Sequence, residues 1–152
     1  MDVSLIPSRL GTYILWLTLD RRTEIEVGRL GKFRFSSGVL AYVGSARGPG
    51  GLRARLARHL RVPRPLVWHI DALQTATRPI GIWFAEGKDK KECAWATALA
   101  SLPGASFPAL KFGASDCRCP AHLLHFPTLP DRADFVQATG EAVQEVLCNT
   151  LY

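Results

Sequence analysis

The sequence predicts one α/β (α+β) domain, a small central antiparallel or mixed β-sheet flanked by helices. Three observations carry this. The composition is globular, with 47% apolar and 21% charged residues over 152 positions, a size at which a single chain buries a real core. Short β-branched and aromatic runs separated by turn residues fill the first third. Stretches with helical periodicity follow, broken by Pro and Gly, which favours segregated layers of sheet and helix.

Residues 12–19 (TYILWLTL) form the longest β-branched and aromatic run and predict a buried strand. Asp20-Arg21-Arg22 makes a turn, residues 24–27 a short strand, and Gly28 and Gly31 interrupt the pattern. Residues 32–35 (KFRF) alternate as an edge strand would, and residues 39–44 (VLAYVG) predict a second core strand. A flexible connection at residues 47–51 (RGPGG) leads to a helix over 52–61, which Pro63 and Pro65 end. A short helix is expected over 66–73, a strand over 80–85 and a helix over 89–102. A Pro/Gly-rich loop fills 103–112, and a Cys-rich turn with a short strand fills 113–126. Residues 131–147 are expected to close the chain as an amphipathic helix, with Phe135, Val136, Val143, Val146 and Leu147 on its apolar side. The only linker-like stretch, 127–130, is too short to separate domains, so residues 1–152 are expected to form one domain.

No apolar run approaches the ~18 residues of a membrane-spanning helix, so no membrane partner is expected. The N-terminus has neither the basic start nor the apolar stretch of a signal peptide, which predicts a cytoplasmic location. The four cysteines, Cys93, Cys117, Cys119 and Cys148, are then expected to be reduced thiols.

The formal net charge is +6, but the sign is unevenly spread. Residues 27–70 contain no Asp or Glu and nine basic side chains: Arg29, Lys32, Arg34, Arg47, Arg53, Arg55, Arg58, Arg61 and Arg64. The remainder carries ten basic against thirteen acidic residues. Such a concentration favours a polyanion through counterion release, and Arg matches phosphate oxygens with two parallel hydrogen bonds. The alternative is a solvated surface with ordinary sign fluctuation.

Several side chains stand out chemically. Around a helix over 52–60, Leu52, Leu56 and Leu60 form an apolar stripe, with Arg55 and His59, four residues apart, at its edge. That edge meets the sheet, where a phosphate-binding Arg and a proton-handling His would be useful; the alternative is two surface residues. Glu92 falls on the same helix face as Trp95, Ala96 and Leu99, where a carboxylate needs a pair, a hydrogen bond or a cation. A capping pair with Asp89 explains it equally well. Tyr13 and Tyr42 could be core aromatics with satisfied hydroxyls. His69 and Asp71 stand two apart and would diverge on a short helix. Cys117, Cys119 and His122, with Asp116 or His125, form a candidate Zn²⁺ set in a C-x-C-x-x-H spacing unlike the usual fingers; small buried thiols in a tight turn explain the cluster at least as well.

In combination these motifs resemble a known pattern. Gly11-Thr12-Tyr13, then Tyr42-Val43-Gly44, then an Arg-bearing and a Glu-bearing helix, resemble the GIY-YIG nuclease superfamily. The YVGSA stretch at 42–46, WHID at 68–71, Glu92-Cys93 and FGASDCRCPAHL at 112–123 resemble a stand-alone branch of single-domain members without a settled function. The resemblance covers roughly residues 10–126. It implies a metal-dependent endonuclease that hydrolyses phosphodiester bonds, with DNA favoured over RNA and a repair- or structure-directed role.

In that pattern Arg55 contacts the phosphate under attack, and His59 occupies a His or Tyr position. Glu92 is the metal-binding carboxylate for Mg²⁺ or Mn²⁺. Tyr13 is assigned as the general base for water and Tyr42 as an orienting donor; a phenol, with a reference pKa of about 10, needs activation for the first role. Arg47, Arg53, Arg58, Arg61 and Arg64 are the expected nucleic-acid contacts, and His69, Asp71, Asp116, Cys117, Cys119 and His122 an accessory group. The connection through Gly48-Pro49-Gly50-Gly51 is roomier than in compact members, so specificity is expected from nucleic-acid shape or a partner repair protein. Two alternatives stand beside the nuclease: a catalytically silent nucleic-acid-binding module, and a zinc- or thiol-stabilised protein centred on Cys117, Cys119 and His122.

Overall fold

The central strand of the computed structural model, which describes residues 2–61, 65–114 and 117–148, is the apolar run nearest the N-terminus. This strand, β1 (Gly11–Leu19), is buried along almost its whole length, because it is paired on both edges and covered on both faces. It is followed by β2 (Thr23–Val27), β3 (Gly31–Phe35), β4 (Gly38–Ala46), α1 (Gly51–Leu60), α2 (His69–Leu73), β5 (Arg78–Glu86), α3 (Glu92–Ala100), β6 (Leu123–Phe126), α4 (Arg132–Thr139) and β7 (Gln144–Leu147). Five strands make one sheet in the order β6-β4-β1-β5-β7, and β2 and β3 pair as a separate two-stranded sheet. The described strand pairs are all antiparallel. The expected α+β class, a sheet flanked by helices, is what the chain adopts. No helix among the described residues is long and apolar enough to cross a membrane.

Strand alternation divides the core. Tyr13, Leu15, Leu17 and Leu40 face one way and pack with Leu52 and Leu56 of α1 and Ile70 and Leu73 of α2. Ile14, Trp16, Ala41 and Val43 face the other way and pack with Trp95 and Leu99 of α3 and Phe135 of α4. Trp16 and Trp83 meet edge-on at 4.8 Å on that second face, a favoured aromatic geometry.

The closing helix expected over 131–147 forms only in its first half, as α4 (Arg132–Thr139). Helix α4 stops at Thr139, and Gly140 takes φ +73°, the left-handed conformation that ends a helix. The chain then returns as β7, whose Val146 and Glu145 lie opposite Ile82 and Trp83 of β5. The strand satisfies the backbone groups on the outer edge of β5, which a helix would leave unpaired. Trp83 Nε1 also donates to Glu145 at 2.8 Å.

Helices α1 and α2 are tied by one buried ion pair. Asp71 is fully buried and accepts both guanidinium nitrogens of Arg58, at 2.9 and 3.1 Å. It also accepts the backbone N–H groups of Val67 (2.9 Å) and Trp68 (2.7 Å) at the start of α2. Burial alone would raise the Asp71 carboxyl; the hydrogen bonds from Arg58 and the two amides outweigh it and hold the carboxyl below its ordinary range.

Breaking a buried pair strands the remaining charge, so Arg58→Met is expected to destabilise the fold by about 3–5 kcal/mol in urea denaturation. A depressed folded-state pKa gives stability that is present above the unfolded value and lost as pH falls through the folded one. Wild-type stability should therefore drop below about pH 4, and Asp71→Asn should flatten that acid limb.

Candidate functional site

The site follows from a difference in strand length. Strand β4 runs to Ala46, whereas β6 pairs with it only over Val39–Tyr42, with one further bond from Val43 N–H to His122 O at 2.8 Å. Among the described residues no strand covers that edge of β4 beyond Val43. A cleft of about 660 Å³ lies there. Side chains from both faces of the sheet reach it, including Tyr13, Tyr42 and Arg55 from one side and Ser45 and Glu92 from the other.

Register sets the two tyrosines. Tyr13 lies opposite Gly44 and Tyr42 opposite Leu15, so both rings project from the same face, with centroids 6.5 Å apart. Gly44 is required by close approach: a Cβ there would stand 2.5 Å from the Tyr13 hydroxyl and 2.6 Å from its Cζ. The Tyr13 ring thus lies directly over the β4 backbone, a physical reason for Gly in the second tyrosine motif. The Tyr13 hydroxyl hydrogen-bonds His59 Nε2 at 2.7 Å. Both groups are buried. Burial pushes the Tyr13 phenol well above its ordinary pKa, with Tyr42 adding to the rise and Arg55 opposing it. Burial likewise pushes the Tyr42 phenol up to about 12, against the pull of Arg55.

The helix edge expected to carry Arg55 and His59 does so, but with a different split. Leu52 and Leu56 are fully buried; His59 is buried beside them, whereas Leu60 is only half-buried. Trp68 organises this edge. Its ring lies 3.7 Å from the Arg58 guanidinium and 4.7 Å from that of Arg55, and meets His59 edge-on at 5.7 Å. Arg58 is held by Asp71, and Arg53 is spent on the carbonyl oxygens of Ile6 (2.7 Å) and Ser4 (3.3 Å). These two of the expected nucleic-acid contacts therefore have structural partners. Arg47 and Arg61 are exposed, and Arg64 lies outside the described residues. Among the described residues, Arg55 is the arginine that lines the cleft.

Glu92 opens α3, with Lys91 at the N-cap position and no side-chain cap. The capping pair with Asp89 is not formed; the Glu92 carboxylate instead accepts the Ser45 hydroxyl. Its placement is half-buried at the cleft wall, beside Lys90. An oxygen donor open to water suits a hard cation such as Mg²⁺, which keeps much of its hydration.

The accessory group separates into three fates. Asp71 is consumed by Arg58, and His69 Nδ1 accepts the Gly113 N–H at 2.9 Å, so the two do not share a ligand. Asp116 lies outside the described residues. His125 Nε2 is at 2.9 Å from the Ser37 carbonyl oxygen, away from the thiols. Cys117, Cys119 and His122 do converge, and Cys93 joins them, with all four potential ligand atoms within 4.8 Å of one another. Cys93 is the member that spacing did not reveal, because it lies 24 residues before Cys117; its place beside Glu92 was the available signal. Ser45, Lys90 and Trp68 were also not assigned to the site from sequence.

No curated protein and no solved structure matches the chain. A family model described as "Domain of unknown function DUF123" matches residues 12–145, which takes in the tyrosine strands, both site helices and the cysteine loop. The chain belongs to this DUF123 family.

Proposed function

We propose that this protein is a metal-dependent phosphodiesterase acting on nucleic acid, DNA in preference to RNA. The observation that carries the reading is the convergence, at one cleft, of a Tyr13–His59 hydrogen-bonded pair, a cationic Arg55 and the carboxylate of Glu92. Hydrolysis of a phosphodiester needs these parts: a path for the proton of water, a positive charge for the phosphate, and a carboxylate for a hard cation. The resemblance to GIY-YIG nucleases supports the same assignment.

In this reading Arg55 pairs with a non-bridging phosphate oxygen. Its position is held by Trp68, so little side-chain freedom is lost on binding. Water attacks phosphorus in line with the bond to the leaving nucleotide oxygen. A buried phenol with a raised pKa is a poor resting base, so Tyr13 acts as a relay. It takes the proton of water as its own proton passes to His59 Nε2, 2.7 Å away. Imidazole is the side chain best suited to hold that proton near neutrality. Tyr42, half-buried at the cleft wall, orients the phosphate as a hydrogen-bond donor. Glu92, oriented by Ser45, would hold Mg²⁺ or Mn²⁺, which supplies charge neutralisation at the phosphate. The phosphorus–oxygen bond then breaks, the leaving oxygen takes a proton from solvent, and the proton held on His59 returns to solvent through Tyr13 before the next turnover.

Two variants test the reading on a panel of duplex, single-stranded, flapped and abasic substrates with Mg²⁺ or Mn²⁺. Glu92→Gln is expected to lower cleavage by about 10²–10³ or more while leaving the thermal transition near the wild-type value. Tyr13→Phe keeps the ring over Gly44 and removes the relay; it is expected to cost about 10²–10⁴ in rate. Full activity in either variant refutes its role. Tight binding of every substrate with no cleavage would favour a silent binding module.

A further inference from the structure

The geometry points to a four-ligand Zn²⁺ site made by Cys93, Cys117, Cys119 and His122, a second metal centre distinct in chemistry from the carboxylate at Glu92. Three thiols and an imidazole are the donor set of structural zinc, whereas Mg²⁺ requires oxygen. The separations fit a single ion. Cys117 Sγ lies 3.2 Å from Cys119 Sγ and 3.2 Å from His122 Nε2, and Cys93 Sγ lies 3.6 Å from His122 Nε2. A tetrahedron with Zn–S bonds of ~2.3 Å has sulfur–sulfur edges of about 3.8 Å, so small movements bring all four donors onto one centre. The Cys117–Cys119 separation of 3.2 Å exceeds a disulfide bond of about 2.05 Å.

The ligands come from parts of the chain that need a clip. Cys93 is on the first turn of α3, and Cys117 and Cys119 lie in the connection between α3 and β6. That connection, residues 101–122, contains no helix or strand among its described residues, and long loops without regular structure need another source of order. His122 is already fixed. Its N–H donates to Phe112 O and its carbonyl accepts from Val43 N–H, both at 2.8 Å, which leaves Nε2 aimed at the thiols. An ion here would fasten the loop and the head of α3 to the end of β4. With four protein ligands the site is closed, so its role is structural and not catalytic.

The site does not depend on the phosphodiesterase reading, and its test does not read cleavage. Tag-free protein purified under reducing conditions is analysed for metal by mass spectrometry, then stripped and titrated with Co²⁺. One zinc per chain is expected, with a one-to-one Co²⁺ titration giving intense tetrahedral and thiolate-to-cobalt absorption. Cys93→Ser and Cys117→Ser should each weaken binding by about tenfold or more, whereas Cys148→Ser, outside the cluster, should keep full stoichiometry. Reduced wild-type protein that takes up neither metal, Cys93→Ser with wild-type affinity, or a Cys117–Cys119 disulfide in freshly isolated protein would each overturn the four-ligand site. Because wild-type titration decides occupancy, a variant that fails to fold does not leave the question open.

Discussion

The cleft exists because β4 outruns β6. An interior strand normally keeps the side chains of its two faces apart, since the sheet stands between them. Beyond Val43 the outer edge of β4 has no neighbouring strand among the described residues, and there the two faces become continuous. Tyr13, which belongs to the α1 face, and Ser45, which belongs to the α3 face, line one cavity. The register of β1 against β4 does the rest by placing Tyr13 across from the Gly that admits its ring. A shift by one residue would put the two tyrosines on opposite faces.

The arginine-rich stretch is less of a polyanion surface than its charge suggests. Asp71 and Glu24 neutralise Arg58 and Arg34, and Arg53 fastens α1 to the N-terminal segment. Charge counted along a chain ignores acidic partners brought in from just outside the window: Glu24 precedes it and Asp71 follows it. What the fold preserves is narrower, a single arginine among the described residues presented to the cleft and steadied by Trp68. In the phosphodiesterase reading, affinity would rest on a few fixed contacts and less on a diffuse field.

Much of the sheet was legible because β1 and β4 are long and apolar, and the α1 helix was legible from its leucine spacing. The end of the chain was not. Val143, Val146 and Leu147 are compatible with a helical stripe, yet Gly140 ends α4, and the edge of β5 offers backbone partners that local sequence cannot display. The pairing of Arg58 with Asp71, thirteen residues apart, depends on how α1 and α2 meet. Cys93 was hidden for the same reason: only the tertiary fold brings the head of α3 to the thiols of the later loop. Glu92 was visible as a carboxylate requiring an explanation, but its partner, Ser45, lies 47 residues away on the strand edge.

The claim on which the functional reading turns is that Glu92 gathers a hard cation at this strand edge. Paramagnetic line broadening by Mn²⁺ in amide NMR spectra tests it without any choice of nucleic acid. The expected result is selective loss of signals from Gly44, Ser45, Glu92 and their neighbours at low Mn²⁺, abolished in Glu92→Gln. Broadening centred elsewhere, or unchanged by that substitution, would contradict the assignment.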